Sequence, residues 1–194
     1  MRTLVRVIAL CAAFATVGCA DKPHWNGVDL TGSSWGRELT LTDPDGRRRT
    51  LAEFRGRPVM VFFGFTQCPD VCPTALIRAT EIRKLLGADG VRLQVIFVTV
   101  DPERDTPSLL REYTAAFDKD FLGLRGDEAT TKKVADEFHV FYEKVPTGKS
   151  YTVNHTSLSY VFDTEGRLRL GEPHAYSAAQ VAEDLKQLLG PARS

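Results

Sequence analysis

Seven consecutive residues, Val59 to Phe65 (VMVFFGF), carry no polar side chain. A strand with one wet face alternates polar and apolar residues, so an unbroken apolar run belongs to a strand covered on both faces. The stretch Val91–Val100 (VRLQVIFVTV) reads as a second central strand of the same kind. Between them, Thr74–Leu86 reads as a helix, with Leu76, Ala79, Ile82, Leu85 and Leu86 at helical spacing and Gly87 as its stop. Strand, helix and strand in that order dictate a sheet with helices packed on its faces, an α/β architecture.

The remaining elements fit around that unit. "RELTLTD" is a short alternating strand ending in the turn Asp43-Pro-Asp-Gly46, and "RRRTLAEFRG" returns from it, giving an N-terminal β-hairpin. Thr106 caps a helix that Pro107 opens and that runs to Phe117. Asp127–His139 is a further helix, "VFYEKV" a short strand, and "SLSYVFD" with "RLRLG" a hairpin around Thr164-Glu-Gly166. Ser177 and Gln180 have capping-box spacing and launch a last helix to Leu189. The expected fold is one α/β domain over residues 37–190, with a mixed central sheet and helices on both faces. Residues 19–36 show little periodicity and read as a tether.

The first residues differ in kind. Arg2 and Arg6 precede the apolar run Val7–Val17, which is too short to span a bilayer and ends at Gly18-Cys19. This is the layout of a secretory signal peptide over residues 1–18. Ala15-Thr-Val-Gly-Cys19 resembles a bacterial lipobox, in which cleavage leaves a lipid-modified Cys19, although Thr16 stands where Leu is more usual. An ordinary signal peptide cut nearby is the alternative. Both place the domain outside the cytoplasm, and the first makes it a membrane-anchored lipoprotein facing the periplasm or cell exterior. Lys+Arg and Asp+Glu both number 25, which gives no basic excess for nucleic acid.

Of the four cysteines, Cys11 lies in the leader and Cys19 at its end, so Cys68 and Cys72 are the thiols of the domain. They lie in "QCPDVCPT", directly after the first central strand, where α/β folds place their chemistry. With a helix starting near Asp70 or Val71, the spacing puts both sulfurs on one helical face, and the positive helix end favours thiolate. A purely structural bridge over so short a loop would contribute little stability. Structural zinc wants four protein ligands, and no second cysteine pair is present. Cu(I) accepts two thiolates and an imidazole. The candidates for that imidazole are His24, His139, His155 and His174, of which His155 and His174 rank equally on sequence. The alternative is a dithiol that exchanges with partner disulfides, with Cys68 and Cys72 as the redox-active pair. Thioredoxin-like reductases usually carry CxxC and a proline before the late strand, whereas this chain has CxxxC and "VNHTSLSY" without proline. A peroxidase would want Thr three residues before its cysteine, and Thr66 is two before Cys68.

Three separated motifs, "VFFGFTQCPDVCPT", "FVTVDPERDTP" and "NHTSLSYVFDTEG", resemble the Sco (SenC) family of thioredoxin-fold assembly factors for cytochrome c oxidase. The resemblance covers most of residues 37–190. It implies a thioredoxin-like fold and one copper ion, Cu(I) or Cu(II), on Cys68, Cys72 and His155. It also implies delivery of copper to the dinuclear centre of oxidase subunit II or another copper-accepting protein, with other copper chaperones or thiol reductants as further partners. Some members act as thiol–disulfide reductants of that subunit. Asn154 stands where the family often has an acidic residue, which implies weaker Cu(II) binding relative to Cu(I) unless Asp70 compensates. The loop Asp101-Pro-Glu-Arg-Asp105 should flank the same face, either as a partner contact or as a solvated turn.

Overall fold

The structure, a computed structural model, describes residues 24–189; the leader and Cys19 lie outside the described residues. In chain order the elements are β1 (Val28–Asp29), the hairpin β2 (Thr40–Thr42) and β3 (Arg48–Thr50), β4 (Val59–Gly64), α1 (Val71–Leu85), β5 (Gln94–Thr99), α2 (Pro107–Ala115), β6 (Leu122–Leu124), α3 (Glu128–Glu137), the ribbon β7 (Tyr142–Thr147) and β8 (Ser150–His155), β9 (Leu158–Phe162), β10 (Leu168–Pro173) and α4 (Ala178–Leu189). The central sheet has the order β1-β10-β9-β4-β5-β6. β4, β5 and β6 are parallel, while β9, β10 and β1 join antiparallel. Every residue of β4 and β5 is buried, as their apolar runs require.

Alternation along β4 separates two packed faces. On one, Phe62 meets Phe97, Phe97 meets Tyr113 of α2, Gly64 lies under Cys72 of α1, and Gly123 of β6 lies under Leu110. On the other, Phe63 packs against Phe138, at the end of α3, and against Tyr160. Helices therefore cover both faces. Among the described residues no helix is long and apolar enough to cross a membrane.

Several expectations need correction. Val91 and Arg92 belong to a 3-10 turn, Gly87–Arg92, so the second central strand starts at Gln94. β6 is a third parallel strand in a stretch that carries no strand signal. Residues 24–36 do not behave as a tether. The backbone N–H groups of Asn26 and Gly27 donate to the Asp184 carboxylate at 3.0 and 2.8 Å, β1 pairs with β10, and the Trp35 ring stacks on His139 at 4.3 Å. These contacts are backbone pairing and isolated aromatics, neither of which imposes a sequence period.

Candidate metal centre

The end of β4 and the start of α1 place the cysteines. The chain turns after Phe65, whose carbonyl accepts the Cys68 N–H at 3.2 Å, and α1 begins at Val71 with Asp70 as its N-cap. Pro73 falls in the first helical turn, where it loses no hydrogen bond. Only Cys72 is helical; Cys68 lies in the loop before it and is not on the same helical face as expected. The Cys72 N–H, one of the unsatisfied donors at the helix start, instead points at Cys68 Sγ across 3.4 Å.

His155 closes the group from the end of β8. Its Nε2 lies 3.5 Å from Cys72 Sγ, and the ligand atoms of Cys68, Cys72 and His155 all lie within 4.8 Å of one another. Its Nδ1 lies 3.0 Å from the carbonyl oxygen of Thr156. A carbonyl only accepts, so Nδ1 carries the proton and the Nε2 lone pair faces the sulfurs. The edges of Phe62 and Phe65 meet the imidazole at centroid distances of 5.9 and 6.0 Å and wall the site. Cys72 is fully buried, whereas Cys68 and His155 are partly exposed.

The two thiols differ in acidity. Donation from the Cys72 S–H, helped by the backbone N–H groups of Asp70 and Cys72, lowers Cys68 to about 5 against the opposing effect of burial. The same S–H bond to Cys68, together with burial, pushes Cys72 up. The arrangement thus favours the thiolate on Cys68, with Cys72 as its protonated donor, and the sulfurs are not bonded to each other.

Other sequence candidates lie elsewhere. His174 Nε2 is 3.2 Å from the Thr74 hydroxyl, in a loop whose carbonyls at Pro173, His174 and Tyr176 are gathered by Arg78. His139 is stacked on Trp35, and His24 is exposed. Among the described residues, Cys68, Cys72 and His155 form the one cluster of metal-binding side chains, so Asp70 stands outside it. The imidazole is oriented by Thr156, not by Asn154, whose exposed side chain alternation turns to the opposite face of the ribbon. The loop carrying Asp101 and Asp105 is not a solvated turn, since both carboxylates are fully buried.

The SCO1/SenC family model matches residues 29–190. The "SCO2-like protein" of Rickettsia felis is 38% identical over 135 residues, which cover 68% of this chain and 66% of that protein. The chain thus spans a little under two thirds of the length of that curated relative. Among solved structures, copper-bound ScoI of Bradyrhizobium japonicum is 40% identical, covers 78% of this chain and 98% of its own, and has a TM-score of 0.71. Apo Sco1 of Thermus thermophilus is 38% identical, covers 86% and 98%, and has a TM-score of 0.75. The parallel strands, the antiparallel hairpin after them and the cysteine-bearing helix start give this chain the thioredoxin-like fold of those structures. It belongs to the SCO1/SenC family.

Proposed function

We propose that this protein is a copper metallochaperone that carries one copper ion on Cys68, Cys72 and His155 and serves assembly of the dinuclear copper centre of cytochrome c oxidase. The observation that carries the reading is the convergence of two sulfurs and a lone-pair-bearing imidazole nitrogen within 4.8 Å. Soft sulfur with one imidazole selects Cu(I) over zinc, which wants a fourth ligand. Copper is the cargo. Cys72 is buried, so an incoming thiolate from subunit II or another copper-accepting protein reaches the metal from the Cys68 side. Copper-bound relatives support the reading. The setting is extracytoplasmic, with the signal peptide removed and Cys19 lipid-modified to hold the domain at a membrane. Other copper chaperones or thiol reductants would load or reduce the site.

A second reading, thiol–disulfide oxidoreductase, is favoured by the lowered pKa of the half-exposed Cys68. Its thiolate would attack a partner disulfide, forming a mixed disulfide and releasing one partner thiolate. Cys72, once deprotonated, would attack Cys68 Sγ and release the second thiolate. The partner gains two electrons and the Cys68–Cys72 pair is oxidised to a disulfide.

The deciding experiment is an anaerobic Cu(I) titration of the reduced domain against a competing chelator, repeated with His155→Ala and His174→Ala. One tight equivalent that weakens only with His155→Ala is the expected result. Binding indifferent to His155 would leave the dithiol reading in its place.

A further inference from the structure

His155 does not lie on the sheet that carries the cysteines. β7 and β8 form a separate two-stranded ribbon, joined to the central sheet at the His155 end through the two residues that precede β9, which pairs with β4. That link fixes one end of the ribbon, and a second fastening ties its body to the cysteine loop. The loop Asp101–Asp105, between β5 and α2, reaches both. On the cysteine side, the buried Asp105 carboxylate accepts from the Thr66 N–H at 3.1 Å and the Thr66 hydroxyl at 2.6 Å, just before Cys68. On the ribbon side, Asp101 accepts from the Tyr151 hydroxyl at 2.8 Å.

Arg104 joins the two sides. Its Nε donates to Asp101 at 2.5 Å, and its Nη1 donates to the Tyr151 carbonyl at 2.8 Å and to Gln67 Oε1 at 3.2 Å. The guanidinium lies 3.7 Å from the Tyr151 ring centroid. One planar fork thus touches the β5–α2 loop, the neighbour of Cys68, and the strand that ends in His155. Lysine, a single point charge, cannot span these acceptors. The ribbon's remaining ties to this loop both end on exposed Glu103: the Tyr151 hydroxyl at 3.2 Å, and Lys144 at 2.7 Å, an ion pair of the kind that contributes little.

We propose that Arg104 is a positioning residue for His155, holding the ribbon where the imidazole meets the sulfurs. This rests on the copper reading above and is tested by a double-mutant cycle in Cu(I) affinity. Arg104→Ala should weaken binding about 10- to 100-fold when His155 is present, the usual effect of losing an outer-sphere partner, and about twofold or less in the His155→Ala background. The nitrogen hyperfine coupling of bound Cu(II), present with His155 and absent without it, should weaken in Arg104→Ala. Because that variant strands the buried Asp101 carboxylate, the cycle is repeated with Arg104→Lys, which keeps the charge and loses the fork. Its smaller loss should again require His155. Equal losses in both backgrounds, or unchanged nitrogen coupling, would overturn the positioning role while leaving the copper site standing. Wild-type binding indifferent to His155→Ala would overturn the copper reading and this role with it.

Discussion

At the scale of single residues, the cysteine pair divides its labour by position. Cys68 sits where an S–H and two backbone N–H groups converge on it, and Cys72 sits in the core as the donor. Alkylation by iodoacetamide should therefore follow a pH profile for Cys68 with its midpoint at about 5, against about 8.5 for a free thiol. Cys72→Ala removes the leading donor, so the midpoint should move up toward the free-thiol value. A wild-type Cys68 midpoint as high as that of a free thiol would contradict the hydrogen-bonded thiolate. The pair itself was legible in the sequence, because its chemistry is local. The third partner was not, because His155 is 83 positions from Cys72 and His174 satisfies the same local criteria. Folding separates them: His174 reaches the Thr74 hydroxyl on the side of α1, while His155 reaches the sulfur. Family resemblance distinguished the two where spacing could not.

At the scale of elements, the close approach of α1 to β4 sets the depth of Cys72. Gly64 is the last residue of β4, and a Cβ there would lie 2.7 Å from Cys72 Sγ and 2.9 Å from Phe97 Cε2. Both neighbours are fully buried, with no open space to retreat into. Gly64→Ala should cost about 1–3 kcal/mol, read from urea unfolding of the metal-free protein, as overpacking of a filled core does. It should also weaken Cu(I) binding by displacing the sulfur; unchanged stability and affinity would mean that α1 can slide. Elements with strong burial were readable: β4, α1, β9, β10 and α4 all announce themselves by period or by an apolar run. Those missed lack that signal. β6 has three residues, with Gly123 at its centre, where a Cβ would meet Leu110 Cγ at 2.5 Å. β8 buries only Val153 of its six residues, so a mostly polar ribbon carries the histidine that faces the sulfurs without an apolar pattern to mark it. The loop Asp101–Asp105 reads on sequence either as a partner contact or as a solvated turn, and only the fold shows Asp101 and Asp105 consumed by Thr66, Thr99, Arg104 and Tyr151.

At the scale of the whole molecule, the segment before the hairpin is stitched across the sheet edge and onto α4, and a buried acid lies beneath the stitch. Asp184 of α4 accepts from Asn26 and Gly27, while Glu172 of β10 lies under Gly27, where a Cβ would fall 2.6 Å from Glu172 Oε1. Both acids are fully buried. Burial, and then the neighbouring Asp184 charge, push Glu172 up to about 7, with Arg78 of α1 pulling the other way. Between about 4.5 and 7 the folded chain holds a proton that the unfolded chain has released. The stability this proton confers is full at the acid end of that window and is lost as pH rises through about 7. Stability of the wild type relative to Glu172→Gln, which cannot ionise, should therefore fall between about pH 5 and 8 by something on the order of 2–3 kcal/mol, since raising a pKa by one unit is worth about 1.4 kcal/mol. The loss should be felt first where Glu172 meets the N-terminal segment. The Gly27 amide should therefore exchange faster with solvent deuterium above about pH 7, after correction for the intrinsic rate, in the wild type but not in Glu172→Gln. Parallel stability curves for the two proteins would show that Glu172 is already ionised in the folded state and that Arg78 outweighs burial. A fall in stability with uniform amide protection would place the effect in global unfolding and leave the attachment of β1 indifferent to the charge beneath it.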